Sequence, residues 1–307
     1  MKISTTLFFS NATSQISNVQ SELAKTQEQL STGQQIVKPS DSPDKAALVT
    51  RLQSELARQA SYQDTLKSVN TRLQSQETAL KSTSDVLTRM KELAVQAAND
   101  TLSVADRDTI SQELSSLRDQ ALSLANTQDA NGNYLFSGSR VGQPAFSADA
   151  TGHIVYQGDQ SRMKVAVGDS RRMNLNMPGT DAYTKVVRDD GKGGKVGVGF
   201  FQAIDDLSAA VKSSDHTNIQ RGIAELDTMQ QGVSTATAQV GDDMNVIDMQ
   251  NSVLDEVVLR LKTTQSDVQD LDYTSAVTKM SKDQLALEAA QSSFAKISQL
   301  NLFKYMN

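Results

Sequence analysis

Cysteine is absent from this sequence, which excludes disulfides, thiolate metal sites and thiol nucleophiles. Tryptophan is also absent and aromatic residues make up only 5% of the chain. A single compact globule of this length would lack bulky filler, whereas thin helical rods packed with Leu, Val, Ile, Ala and Met would not. Histidine occurs twice, at His153 and His216, far apart and outside any catalytic signature; a polar loop or helix-end position accounts for each. Basic charge is not concentrated anywhere. Thirty Lys and Arg against 36 Asp and Glu give a net charge of -6 and no cationic stripe, so nucleic acid is not an expected partner. Long apolar runs are missing too. The segment Leu7-Phe8-Phe9 after Met1-Lys2-Ile3 is shorter than the roughly 7–15 residues of a secretory core, and nothing approaches the ~18 apolar residues of a membrane span. A soluble chain without a membrane partner is expected, exported, if at all, by a route that reads no such signal.

Catalytic patterns are equally scarce. The acid pairs Asp189-Asp190, Asp205-Asp206 and Asp242-Asp243 have no nearby His and no calcium-loop spacing, and adjacent residues on a helix point about 100° apart. The glycine-rich stretch 191–199 fits neither phosphate-binding spacing and reads as a linker or hairpin turn. The expectation is no catalytic residue, no cofactor, no metal and no small-molecule substrate.

What the chain does have is heptads. One seam reads Tyr62, Leu66, Val69, Leu73, Gln76, Leu80, Thr83, Leu87, Met90, Ala94 and Ala97; a second reads Val233, Thr237, Val240, Met244, Ile247, Asn251, Leu254, Val258, Leu261, Gln265 and Val268. A stripe two residues in seven wide buries itself only against another stripe, so both predict long helices with helical partners. The polar members weaken such a seam while fixing its register.

The same rhythm is thinner at the two extremities. Ile16, Val19, Leu23, Thr26 and Leu30 sit among Ser, Gln, Asn and Thr, and this helix alone in water is marginal. Gly33 suits a C-cap, and Pro39-Ser40-Asp41-Ser42-Pro43 marks a break with Ser42 as N-cap of the next helix. That helix, from about Pro43 to Asn99, spans on the order of 80 Å. Asn99-Asp100-Thr101 turns the chain into a third helix carrying Ile110, Leu114, Leu117, Ala121 and Leu124. Turn signals from 138 to 200 bracket short alternating runs, with strands expected at 153–157 and 163–167 joined as a hairpin through residues 158–162. Helical pattern resumes at Phe200, breaks near 213–217, and ends in a last helix with Ala276, Met280, Leu287, Ala290, Phe294 and Ile297. The fold class expected is mainly α: an elongated antiparallel helical bundle or coiled coil made by the two terminal regions, with a small β-rich insert. Its segments are an assembly helix (1–42), the two halves of a helical rod (43–138 and 200–272), the insert (139–199) and a C-terminal assembly helix (273–307).

This order of elements resembles the flagellin superfamily. Gln29-Leu30-Ser31-Thr32-Gly33, Pro39-Ser40-Asp41-Ser42-Pro43, Asn133-Tyr134-Leu135-Phe136-Ser137-Gly138, and residues 287–297 through Leu302-Phe303 are closer to its hook–filament junction branch than to filament flagellins. The resemblance covers nearly everything outside 140–200. It implies a secreted structural subunit, exported unfolded through the flagellar type III channel, whose ends order on assembly. Its implied partners are copies of itself in a ring or helical lattice, a neighbouring hook-associated protein, filament flagellin and an export chaperone. Lattice contacts are expected at Ile16, Val19, Leu23, Leu30, Leu287, Phe294, Ile297, Leu300, Leu302 and Phe303, packed more between molecules than within one. The rival readings are a filament flagellin, a secreted cell-wall hydrolase and a free-standing coiled-coil scaffold.

Overall fold

The computed structural model describes residues 2–189 and 194–303, with side chains at 7, 9–189 and 194–297. Four long helices follow the heptad stretches: α1 (Lys2–Thr32), α2 (Pro43–Ala97), α6 (His216–Gln269) and α7 (Tyr273–Phe303), with α3 (Val104–Ala125), α5 (Phe200–Lys212) and the one-turn α4 (Gly179–Ala182) between them. Among the described residues six short strands lie in the insert: β1 (Phe146–Ala148), β2 (Ile154–Tyr156), β3 (Lys164–Ala166), β4 (Arg172–Asn174), β5 (Val186–Asp189) and β6 (Lys195–Val198). The chain divides into two compact units, a terminal one (Met1–Gln59 with Asp255–Asn307) and a central one (Ala60–Leu254); both cuts fall inside a helix, α2 and α6.

In the central unit the first seam is buried from Leu66 to Ala97 without interruption, Gln76 and Thr83 included. Those two polar positions tie α2 to the segment before the insert and to the insert itself. Gln76 donates to the Leu135 carbonyl (3.3 Å), and Thr83 shares a hydrogen bond with the Tyr183 hydroxyl (3.0 Å). Burial drives the Tyr183 phenol far above its ordinary pKa, so it stays neutral. Local signals set the ends of α3. The Asn99 side chain accepts from the Thr101 N–H (3.1 Å), and Ser103 with Asp106 forms a capping box at the start of α3. Buried Arg107 donates to the carbonyls of Ala97 (2.9 Å) and Asn99 (3.0 Å), satisfying acceptors at the end of α2.

The insert differs from the expected hairpin. Strands β2 and β3 do not pair with each other; the sheets are β1 with β2, β3 with β4 and β5 with β6, all antiparallel. Residues 158–162 are tied backwards instead. Asp159 accepts from the N–H groups of Ser139 (2.8 Å) and Ser161 (3.0 Å), its own N–H reaches the Ser137 carbonyl (3.2 Å), and the Tyr156 hydroxyl donates to the Asp159 carbonyl (2.8 Å). A segment with its polar groups so committed cannot close a two-stranded turn. The connection between β1 and β2 runs through residues 149–153, where Asp149 Oδ1 accepts from the N–H groups of Thr151 (2.8 Å) and His153 (3.0 Å) and Gly152 takes φ +85. Residues 129–133 repeat it: Asp129 Oδ1 accepts from Asn131 (2.9 Å) and Asn133 (3.0 Å), and Gly132 takes φ +80. Part of the glycine-rich stretch read as a turn is strand β6; Gly191, Lys192 and Gly193, with Asp190, lie outside the described residues.

The few aromatic residues are concentrated. Phe136, Phe146, Tyr156, Tyr183, Phe200 and Phe201 form one cluster where the insert meets α5, with ring centroids 5.2 Å apart for Phe146 and Tyr156 and 5.3 Å for Phe146 and Phe201. Arg188 of β5 fastens the last hairpin to two helices. Its guanidinium binds Glu225 of α6 (Nε to Oε1, 2.6 Å) and Asp206 of α5. The hydrogen bonds it donates to Glu225 come first among the causes that raise its pKa, against the cost of burial.

Candidate assembly surface

The terminal unit contains the candidate contact residues. Along α1, Phe9, Ala12, Ile16, Val19, Leu23, Thr26 and Leu30 are covered while most residues between them are exposed; along α7 the covered positions are Ala276, Met280, Asp283, Leu287, Ala290, Phe294 and Ile297. Both series step by alternating threes and fours, the signature of a two-helix seam. The helices run antiparallel: Phe9 meets Phe294 edge to face at 5.4 Å, Lys279 Nζ binds Glu22 Oε2 at 2.7 Å, and Gln34 bridges Asp270.

Ile16, Val19, Leu23, Leu30, Leu287, Phe294 and Ile297 therefore lie half-buried against the other terminal helix of the same chain. The side chains of Leu300, Leu302 and Phe303, at the end of α7, fall outside those described. Phe9, Ala12, Thr26, Ala276, Met280, Asp283 and Ala290 complete the seam. Extending the heptad two steps N-terminal from Ile16 reaches Ala12 and Phe9, the latter also the last residue of the short apolar run Leu7-Phe8-Phe9. Asp283 carries no apolar signal at all.

A junction closes this pair. Gly33 takes φ +70 and its N–H caps α1 on the Gln29 carbonyl (2.8 Å); a Cβ there would lie 2.8 Å from the Tyr273 hydroxyl. The main chains on either side of the two breaks are hydrogen-bonded, Gln35 N–H to Gln269 carbonyl (2.8 Å) and Leu271 N–H to Gly33 carbonyl (3.0 Å). Asp41 accepts from the Lys38 N–H (2.9 Å) and pairs with Lys25 (3.0 Å), which together lower its pKa, the Lys38 bond foremost. Asp272 starts α7, accepting from the Ser275 hydroxyl (2.7 Å) and from the N–H of Thr274 (3.0 Å). The two prolines and the glycine of the motif residues 29–43 are thus spent on joining two helix ends.

Outside the seam, α7 leaves Val277 48% and Leu285 68% exposed, and α1 leaves Leu7 61% exposed. These side chains were not among the expected contacts, because isolated apolar residues off a periodic stripe give no pattern to read.

Several acidic groups have structural partners. Asp205 pairs with Arg118 (3.1 Å), Asp206 with Arg188, and Asp100 with His216 Nε2 (2.7 Å). Asp243 has its pKa raised by burial first and by neighbouring Asp242 in addition. A cleft of about 600 Å³ is lined by Lys67, Ser68, Arg72, Asp129 and Asn131 among others. Asp129 is fully engaged there, Oδ1 by two backbone N–H groups and Oδ2 by Arg72 and the Asn133 amide. Burial works against its charge, yet those donors lower its pKa overall. Among the described residues no group of three or more His, Cys, Asp or Glu could hold a metal ion, and no helix is long and apolar enough to cross a membrane.

Known proteins resemble this arrangement. The bacterial flagellin N-terminal helical region matches residues 3–140 and the bacterial flagellin C-terminal helical region matches residues 223–306. Flagellar hook-associated protein 3 of Escherichia coli strain K12 is 27% identical over an alignment covering 99% of each chain. A solved structure from Vibrio parahaemolyticus, designated a flagellar hook-associated protein, is 27% identical with a TM-score of 0.67, covering 75% of this chain and all of that one. FlgL of Xanthomonas campestris, 23% identical, shares the fold with a TM-score of 0.62 over 71% of this chain and 99% of its own.

Proposed function

From membership of the bacterial flagellin family, to which this chain belongs, we propose that it is the structural adaptor subunit of the bacterial flagellum that joins hook to filament. Its place is the hook–filament junction. The terminal unit carries the assembly, and one observation supports that: the α1 and α7 pair covers only a two-in-seven stripe on each helix and leaves Leu7, Val277 and Leu285 bare. Apolar side chains exposed on a thin helical pair are the material of a helical lattice, where sister chains supply the cover one chain lacks. Its partners are further copies of itself, an adjoining hook-associated protein on one side and filament flagellin on the other, with an export chaperone before assembly. Absence of cysteine and the polar, weakly stabilised ends suit passage through a narrow export channel in unfolded form. The chain works by contact and not by catalysis, and of the candidate acid pairs Asp205 and Asp206 are each held by an arginine.

Leu285→Glu in the full-length chain tests this reading. The variant is expected to keep its helical content and monomeric fold while failing to support filaments on hooks in a strain lacking the native gene, seen by electron microscopy. Normal filaments with Leu285→Glu and with Val277→Glu would exclude that face from the lattice, and a deletion strain that still grows filaments on its hooks would overturn the adaptor role.

A further inference from the structure

The hairpin of β3 and β4 is a cationic surface on an acidic chain. Its register pairs Lys164 with Asn174 and Ala166 with Arg172, so these four share one face; Lys164, Ala166 and Arg172 on it are exposed, as is Arg171 at the turn. The other face carries Val165 and buried Met173, and the tip is held by the chain itself. The Tyr62 hydroxyl donates to Asp169 Oδ1 (3.2 Å), and a Cβ on buried Gly168 would lie 3.1 Å from Gln250 Nε2 of α6. The cationic face is thereby turned to solvent. Among the described residues the side chains of Lys164, Arg171 and Arg172 make no ion pair or hydrogen bond.

A complementary surface lies on α6. Asp242, Met249 and Val253 occupy the face opposite buried Ile247, Gln250 and Leu254, with Asp248 at its border; Met249 is 56% and Val253 53% exposed. The side chains of Asp242 and Asp248 are also without ion pair or hydrogen bond, and α6 carries no Lys or Arg between Arg221 and Arg260. Such a face suits arginine and lysine, whose stems cover Met249 and Val253 while their heads meet the carboxylates. Two unlike surfaces on one unit join copies head to tail, which builds a ring or helix and not a closed dimer.

We propose that the β3 and β4 hairpin of one copy docks on the Asp242 to Val253 face of α6 in the next, a salt-sensitive lateral contact between central units. This rests on the reading of the chain as a self-assembling adaptor. The hairpin lies between the two matched flagellin regions, 3–140 and 223–306, so the family helices alone do not supply this contact.

Ala166→Cys and Met249→Cys, one on each surface, test it in the full chain, whose lack of cysteine leaves them the only thiols. Copies of both variants are co-expressed in a strain lacking the native gene, and isolated hook–filament junctions are treated with a short bis-maleimide. Covalent dimers are expected from the mixture and not from either variant alone. Adding Arg171→Glu and Arg172→Glu to the first variant should cut the dimer yield about tenfold or more, and adding Asp242→Lys and Asp248→Lys to the second should then restore it. Assembled junctions that give no dimer would overturn the proposal, as would a yield indifferent to reversal of charge. Neither result touches the adaptor role, which is judged by Leu285→Glu and by the deletion strain.

Discussion

The two units of this chain use the same heptad grammar to opposite ends. In the central unit the seam of α2 is buried from Leu66 to Ala97, and its polar members Gln76 and Thr83 reach the Leu135 carbonyl and the Tyr183 hydroxyl, with only the Gln76 Oε1 left without a partner. In the terminal unit the seam residues are almost all half-covered, the fillers include Ala12, Thr26, Ala276 and Ala290, and one layer holds an unsatisfied carboxylate. The lesson is that periodicity specifies which helix faces meet, whereas stability is decided by what surrounds the stripe. A helix flanked by an insert and further helices buries a wide face; a lone pair buries a strip.

The largest expected effect that separates the units is at Arg188. Arg188→Ala leaves buried Glu225 with Arg221 at 3.4 Å as its remaining cationic partner and is expected to destabilise the central unit by about 2–4 kcal/mol in denaturant titration, with hydrogen exchange in α1 and α7 unaffected. The converse probe is Ile16→Asp. On the order of 3 kcal/mol lost from a thin pair should abolish protection of α1 and α7, while the denaturation midpoint of the central unit holds. Coupled loss of both units in either variant would show that the division is not a division in stability.

Gly33→Ala is expected to cost about 1–2 kcal/mol, from a left-handed backbone and from crowding against the Tyr273 hydroxyl. Tyr273→Phe in the same chain separates the causes: recovery measures the crowding and what persists measures the backbone. The smallest effect is one of pH. The Ser139 hydroxyl, helped by the N–H groups of Ser139 and Ser161, holds Asp159 down at about 2. A carboxylate lowered in the folded state contributes stability that is complete above its unfolded pKa, near ~3.9, and is lost as pH falls through about 2. Asp159→Asn should therefore flatten the acid limb of central-unit stability between those values and remove, at neutral pH, the stability that the lowered carboxylate contributes there.

Much of this architecture was legible in the residues, for identifiable reasons. Leucines at 66, 73, 80 and 87, Gly33 at a helix end and Pro43 after Ser42 are local signals whose consequences are local, and the helices begin and end close to where they indicate. The insert was not legible in the same way. The pairing of β1 with β2 depends on Asp159 being held by residues 137–139, a commitment between positions twenty apart that no alternation of side chains announces. The terminal contacts were half legible: the stripe was plain, but whether a stripe is covered by its own chain or by another molecule is not written in its period. Leu7, Val277 and Leu285 carry no rhythm, and Asp283 breaks one.

The five residues at 129–133 and the five at 149–153 are one part used twice. Each is an aspartate whose single oxygen takes two main-chain donors, closed by a glycine three positions on, but only the first also holds Arg72 on α2. A turn that supplies its own hydrogen bonds asks nothing of its neighbours. It can be exchanged for its twin, or set at the tip of an elongated insert, and this gives the middle of the chain freedom to diversify while the helices around it stay as they are.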